Sequence, residues 1–257
     1  MKRIFRPWVA MCTAVALAAA ACLFCGSLAQ ELGLKPAKPI SGKQLLTADG
    51  QNTNEASLVY AYPQFTVENE ADEAINRFFR QEAGAMLQER AQNAEPPERQ
   101  EIGYRLALNT QRYVSVLLYT RTATYRGEYE RLDAHTFARD GVYAGQSLTL
   151  SQVLGLEQET GTAGVEGVAD ESLAESLCYD LVWQIIERGM QDMDGDYLED
   201  VTQEKLRQAF HPEQDFYLDE EGNVVLYIQA GEVAGEIAGT LLFPFAPAEL
   251  LSAMKES

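Results

Sequence analysis

Asp192, Asp194 and Asp196 stand at alternate positions in Asp192-Met193-Asp194-Gly195-Asp196, a spacing that lets several carboxylates converge on one calcium ion. The helix-flanked calcium loop also needs a glycine at its sixth position and a bidentate glutamate at its twelfth. Counted from Asp192, those places hold Tyr197 and Gln203. The three acids are therefore weak metal candidates, better read as an acidic loop that closes a helix, and no metal or cofactor is expected. His135 and His211 are the two histidines of the chain, far apart and outside any His-Glu-x-x-His pair, so a zinc site built from several histidines is excluded. Gly145-Gln146-Ser147-Leu148-Thr149 begins like a nucleophile elbow but ends on threonine where that motif closes on glycine. Carboxylates are abundant, yet no one pair stands out as a glycosidase acid and base. No catalytic residue is assigned.

Tyrosine offers a different chemistry, large contact area with a polar tip, and is enriched at interfaces. Tyr113, Tyr119, Tyr125, Tyr129 and Tyr143 fall within one hairpin region. Tyr113 and Tyr119 alternate with apolar residues and are expected to pack. Tyr125 and Tyr129, set among Arg126, Gly127, Glu128 and Glu130, are expected to be exposed contact residues.

The elements that must carry these residues follow from periodicity. Leu58, Tyr60 and Tyr62 alternate as a strand does, and Pro63 ends it or pushes it to an edge. Ala71, Ala74, Ile75, Phe78, Phe79, Ala83, Met86 and Leu87 recur at three- and four-residue steps, predicting an amphipathic helix capped near Asn69 and closed before Pro96-Pro97. Tyr104, Leu106 and Leu108 alternate again, and a polar turn leads into Tyr113 to Tyr119. That second strand is apolar on both faces, which predicts a central strand covered on two sides. Leu173 to Met190 marks a second helix and Gln203 to Phe210 a short third. Phe216 to Leu218 and Val224 to Gln229 form a hairpin through Gly222. Helices interleaved with antiparallel hairpins give an α+β class, an antiparallel or mixed sheet with packed helices. Two lobes are expected, over 57–157 and 165–254, sharing a core.

The beginning of the chain has the order of a secretory leader over 1–29. Lys2, Arg3 and Arg6 precede an uncharged run, and Ser27 and Ala29 stand as the small residues of a cleavage site before Gln30. A retained anchor is the alternative, as is lipid attachment at Cys22, and membrane association is expected by those routes alone. Residues 30–56, with Pro36, Pro39, Gly42 and Gly50, read as a flexible tether. Cys12, Cys22 and Cys25 lie in the leader, which leaves Cys178 the one thiol of a cleaved product, without a disulfide partner. The whole chain carries 20 basic and 39 acidic residues, a formal charge of −19. Taking away Lys2, Arg3 and Arg6 with the leader leaves 17 against 39, or −22. Phosphate binding needs a basic footprint, so nucleic acid is excluded as a partner and a basic protein is favoured.

The last third of the chain resembles a particular extracytoplasmic family. Phe216-Tyr217-Leu218, Gly222, Val224 to Ile228, Gly231-Glu232-Val233-Ala234, Ala238-Gly239 and Pro247 to Leu251 follow the order of the C-terminal domain shared by the anti-sigma factor RsiV and PdaC-type peptidoglycan deacetylases. Ala134 to Asp140 and Gly145 to Leu154 extend the likeness in outline. The family's tyrosines are missing from the Gly231–Gly239 loop, which here carries Glu232 and Glu236. The resemblance implies a non-catalytic, secreted or surface-tethered binding and sensor module of the bacterial cell envelope, with lysozyme or another basic envelope protein as its partner. Tyr125, Tyr129, Glu128, Glu130, Glu232 and Glu236 are the contact candidates. Met1 to Arg6 is too short for a sigma-factor-binding domain, so direct anti-sigma activity is not expected. A cell-wall glycan hydrolase, or an accessory domain of a peptidoglycan-modifying system, is the alternative. Oligomeric state is not legible.

Overall fold

Val114, Val116 and Leu118 alternate with Leu117 and Tyr119 along one strand, so apolar groups leave both faces and each face must find a cover. The computed structural model, which describes residues 38–46, 56–93, 97, 99–124, 127–156, 173–192 and 196–256, supplies both. Strands β1 (Ile40–Leu46), β2 (Ala56–Tyr62), β3 (Arg99–Asn109), β4 (Tyr113–Thr124) and β5 (Gly127–Ala138) form one sheet in that order. β2 and β3 run parallel, joined through helix α1 (Glu70–Gln92), while the other neighbours are antiparallel. Strands β6 (Phe216–Leu218), β7 (Val224–Ile228) and β8 (Leu241–Phe245) form a second, antiparallel sheet. Helices α2 (Leu150–Leu154), α3 (Leu173–Asp192), α4 (Gln203–Ala209) and α5 (Pro247–Glu256), with a 3-10 turn at Glu236–Ala238, complete the described elements, and the class is α+β.

Alternation sorts the side chains into four layers. Ile102, Val114, Val116, Leu118 and Phe137 meet Ile75, Phe79 and Ala83 of α1 on one side of the large sheet. Ala107, Leu117 and Leu132 meet Tyr217, Val225 and Tyr227 of the small sheet on the other. The opposite face of the small sheet, with Phe216, Leu218, Val224, Leu226 and Ile228, is closed by Ala174, Cys178, Val182 and Ile186 of α3, by Leu206 of α4 and by Leu250 of α5. The four-residue steps of α3 place that stripe on one face. Alternation from Arg105 already sets Ala107 toward the small sheet, and a register shift between Leu106 and Leu108 turns Leu108, opposite Ser115, to the same side. Such a bulge reverses which face later residues occupy.

Local chemistry sets where α1 begins and how the chain reaches it. Asn69 caps the helix by accepting from Asp72 N at 2.9 Å, with Glu70, Asp72 and Glu73 in the positive first turn. Asn76, buried one turn on, accepts from Phe65 N at 2.7 Å and donates to Phe65 O at 2.9 Å, which pins the stretch after β2 to the helix. Asp72 also faces Arg139 at 3.3 Å across two nearly buried side chains. The pair lacks hydrogen-bond alignment, so it neutralises charge more than it directs geometry.

The tether expected over 30–56 is corrected at Ile40–Leu46, which pairs antiparallel with β2. Its two serviceable periodic signals, Ile40 and Leu45-Leu46, are interrupted by Ser41-Gly42-Lys43, and the hydrogen bonds that hold it come from a partner strand. Propensity within the segment does not report that pairing. The leader expected over 1–29 lies outside the described residues. Among those described, no helix is long and apolar enough to cross a membrane.

Candidate functional site

The small sheet covers the large one at Ala107, Leu117 and Leu132 and stops there, so the far ends of β3, β4 and β5 overhang it. Register then decides what the uncovered face presents. Glu101 lies opposite Arg121, and Arg121 lies opposite Glu130, an acid-base-acid row across three strands. Arg99 and Glu128 flank the row, both aligned with Ala123. These residues and Tyr129 line an open concavity of about 390 Å³.

The row is unevenly matched. Arg121 Nε donates to Glu130 Oε2 at 2.5 Å, and that hydrogen bond is the main reason the guanidinium is raised above its usual range. Arg99 reaches Glu101 at 3.3 Å. Glu128 makes no ion pair among the described residues. Both bridges are largely exposed, so each is worth at most about 1 kcal/mol and is open to exchange with another charge. Tyr129 is 44% exposed, which meets the expectation from its flanking residues. Tyr125 lies outside the described residues.

Beside this face runs the outer edge of β5, whose backbone groups point away from β4 at alternate residues. Leu132 N donates to Gln229 Oε1 at 3.1 Å, and Gln229 Nε2 donates back to Leu132 O, so one side-chain amide imitates a neighbouring strand. Ala134 N donates to Tyr227 Oη at 3.2 Å, and Thr136 O accepts from Leu148 N at 2.7 Å. The same alternation turns the backbone groups of Glu128 and Glu130 outward, and no hydrogen bond of the described residues covers them. Among the described residues the edge is thus covered at Leu132 N and O, Ala134 N and Thr136 O, and uncovered at Glu128 and Glu130.

Glu232 and Glu236 are exposed on the loop that follows β7. That loop is tied to the stretch before α4, through Leu198 N to Val233 O at 3.0 Å and Gly235 N to Asp196 O at 3.0 Å. No hydrogen bond or ion pair among the described residues joins either glutamate to the hairpin, so the five described candidates fall into two groups, Glu128, Tyr129 and Glu130 on the hairpin and Glu232 and Glu236 on the loop. Asp192 is the exposed last residue of α3, Asp196 sits beside the Gly231–Gly239 loop, and Asp194 lies outside the described residues. Among the described residues no three metal-binding side chains gather.

A second concavity of about 320 Å³ includes Asp133, His135, Ser147, Glu213, Asp215 and Tyr227. Its acids already have structural partners. Glu213 accepts from Ser151 N at 2.9 Å and from the Ser151 hydroxyl, and Asp215 Oδ2 accepts from His211 N at 2.6 Å. Burial raises the Asp215 carboxyl above its usual range. Ser147 forms a bridge with Phe137, extended backbone in place of a strained elbow. Cys178 is fully buried in the lower core, where burial pushes its thiol up to about 12.

The residues that sequence reasoning missed are Arg99, Glu101, Arg121 and Gln229. Arg99 pairs with Glu101 two places along β3, whereas Arg121 and Gln229 act through partners on another strand, and no spacing along the chain marks such a pair.

No family model matches this chain, and no curated protein matches it. Two solved structures share its fold. One is a member of the DUF3298 family from Bacteroides fragilis, at 12% identity and a TM-score of 0.50, covering 87% of this chain and 100% of its own. The other is a DUF3298 family protein from Pseudomonas aeruginosa, also at 12% identity and a TM-score of 0.50, covering 84% of this chain and 92% of its own. DUF denotes a domain of unknown function, so the likeness concerns fold.

Proposed function

We propose that this chain is a non-catalytic binding module of the bacterial cell envelope that captures a basic protein, with lysozyme as the first ligand to test. The observation that carries this reading is the overhang of β3–β5, where Glu101, Glu128 and Glu130 share one face with two arginines and Tyr129 stands exposed on the other face of β5 at the same concavity. A chain of formal charge −19 draws basic proteins by long-range attraction, and an exposed aromatic supplies contact once they meet. The resemblance to the RsiV and PdaC domain supports the same reading, and with it a protein that works outside the cytoplasm, exported by its leader or held by it. The glycan-hydrolase alternative needs two carboxylates free to act on one bond, and Glu213 and Asp215 in the second concavity are engaged by Ser151 and His211.

The test is surface-immobilised binding of the protein exported by its native host to hen-type lysozyme and to cytochrome c, a basic control. Saturable binding to lysozyme, with an association rate that falls as salt shortens the screening length from about 8 Å to about 3 Å, is the expected result. Equal binding to both proteins means charge attraction without recognition. No binding to either removes the proposal.

A further inference from the structure

The edge of β5 is capped at most of its outward groups from Thr136 back to Leu132, and the caps end at the overhang. Gln229 takes both backbone groups of Leu132, Tyr227 takes Ala134 N, and Leu148 takes Thr136 O. The outward backbone groups of Glu128 and Glu130 then stand open beside Tyr129, next to the concavity of about 390 Å³. Long open edges invite unwanted pairing, and natural sheets blunt them with charge or cover them. Here cover and charge are divided. Three described partners occupy the far part, and glutamates flank the short open part.

We propose that this open edge takes an added strand, an extended basic segment of the partner protein, with basic side chains beside Glu128 and Glu130 and an apolar side chain between them against Tyr129. The inference rests on the binding-module reading and specifies its geometry. Strand addition draws affinity from main-chain hydrogen bonds and specificity from alternate side chains. Glu128 and Glu130 lie on one face of β5 and Tyr129 on the other, so the guest must alternate basic and apolar residues to satisfy both. Charge favours such a guest. The described face carries Glu101, Glu128 and Glu130 against Arg99 and Arg121, and Glu128 makes no ion pair among the described residues. A second copy of this chain is a poor occupant, because antiparallel pairing about Tyr129 would set Glu128 of one copy opposite Glu130 of the other, and like charges directly opposite destabilise a strand pair.

The probe is a capped seven-residue peptide alternating lysine and valine. Its comparison is the same peptide with alternate amides N-methylated, which keeps charge and composition but removes strand donors. Wild-type protein should bind the first and lose at least about tenfold in affinity for the second, the size of one lost hydrogen-bond pair at about 1.4 kcal/mol. Hydrogen exchange should show new protection at the Glu128 and Glu130 amides.

Glu130→Gln removes charge and keeps the outward N–H, whereas Glu130→Pro removes both. Proline is tolerated where an edge N–H faces solvent. The proline variant should bind the peptide at least several-fold more weakly than the glutamine variant, with native exchange protection retained at Val116 in both. Equal binding of these two variants, or protection that appears away from Glu128 and Glu130, overturns the proposal. If lysozyme binds and leaves those amides unprotected, the edge proposal falls while the binding module stands. If neither lysozyme nor the peptide binds, both fall.

Discussion

Ser115 Oγ lies 2.5 Å from Thr136 Oγ1 and accepts the backbone N–H of Leu218 at 3.0 Å, so one buried hydroxyl ties β4 and β5 of the large sheet to β6 of the small one. Ser115 is fully buried and Thr136 nearly so. Leu218 N–H fills one of the two acceptor positions on Ser115 Oγ, and either hydroxyl can donate in the Ser115–Thr136 pair. The tie anchors the small sheet on the large one, and the limit of that cover is what leaves the acidic overhang exposed.

Ser115→Ala leaves the Leu218 N–H buried without a partner, whereas Thr136→Val removes only the hydroxyl that pairs with Ser115. The first should cost about 1–3 kcal/mol and the second about 0.5–1.5 kcal/mol. Urea denaturation followed by circular dichroism measures both. A Ser115→Ala cost below that of Thr136→Val would show that the inter-sheet bond contributes little.

Gly145 combines a positive φ of +78° with a near approach to α1, since an added Cβ would stand 2.7 Å from Ala74 Cβ and 3.2 Å from Ala71 Cα. Gly222 has a similar φ of +82° but open space around it. Gly222→Ala should therefore cost about 1–2 kcal/mol of backbone strain. Gly145→Ala should cost more, by about another 1–3 kcal/mol of overpacking. The midpoints of thermal unfolding for the two variants give the comparison, and equal losses would mean that the loop shifts away from α1 without cost.

Local periodicity carried much of this architecture. The Ala71-to-Leu87 stripe is α1, the two-faced apolar run from Tyr113 is the covered strand β4, and the Gly222 turn joins β6 to β7. Ile40–Leu46 was illegible because it is a strand by virtue of β2. At the candidate site, Tyr129 was readable from its charged neighbours. The Glu101–Arg121–Glu130 row was not, since its members are 20 and 9 positions apart and meet through register. Gln229 was hidden for the same reason, 97 positions from the Leu132 backbone that it covers.

The Cys178 thiol should be inert in the folded protein. It is fully buried and pushed up to about 12 by burial, so almost no thiolate is present near neutral pH to act as nucleophile. Alkylation with iodoacetamide at pH 8, followed by peptide mass analysis, should leave Cys178 unmodified in native protein and modify it fully in urea. Rapid modification without denaturant would mean that the α3 layer opens readily.

His135 gives the fold a pH dependence whose sign follows from its surroundings. Burial lowers its pKa below the ordinary 6.5, with Asp133 opposing in part, and its ring packs edge-on to Phe78 at 4.9 Å. The folded state therefore binds a proton less readily than the unfolded chain. The stabilising contribution is fully present above pH 6.5 and is lost as pH falls through the lowered folded value. His135→Phe keeps an aromatic ring beside Phe78 and removes the titrating group. Wild-type stability should decline more than that of the variant between pH 7 and pH 5, measured by urea denaturation at each pH. Parallel declines would assign the acid sensitivity to carboxylates elsewhere, with Asp215 acting in the opposite direction because its raised pKa favours the folded state as pH falls.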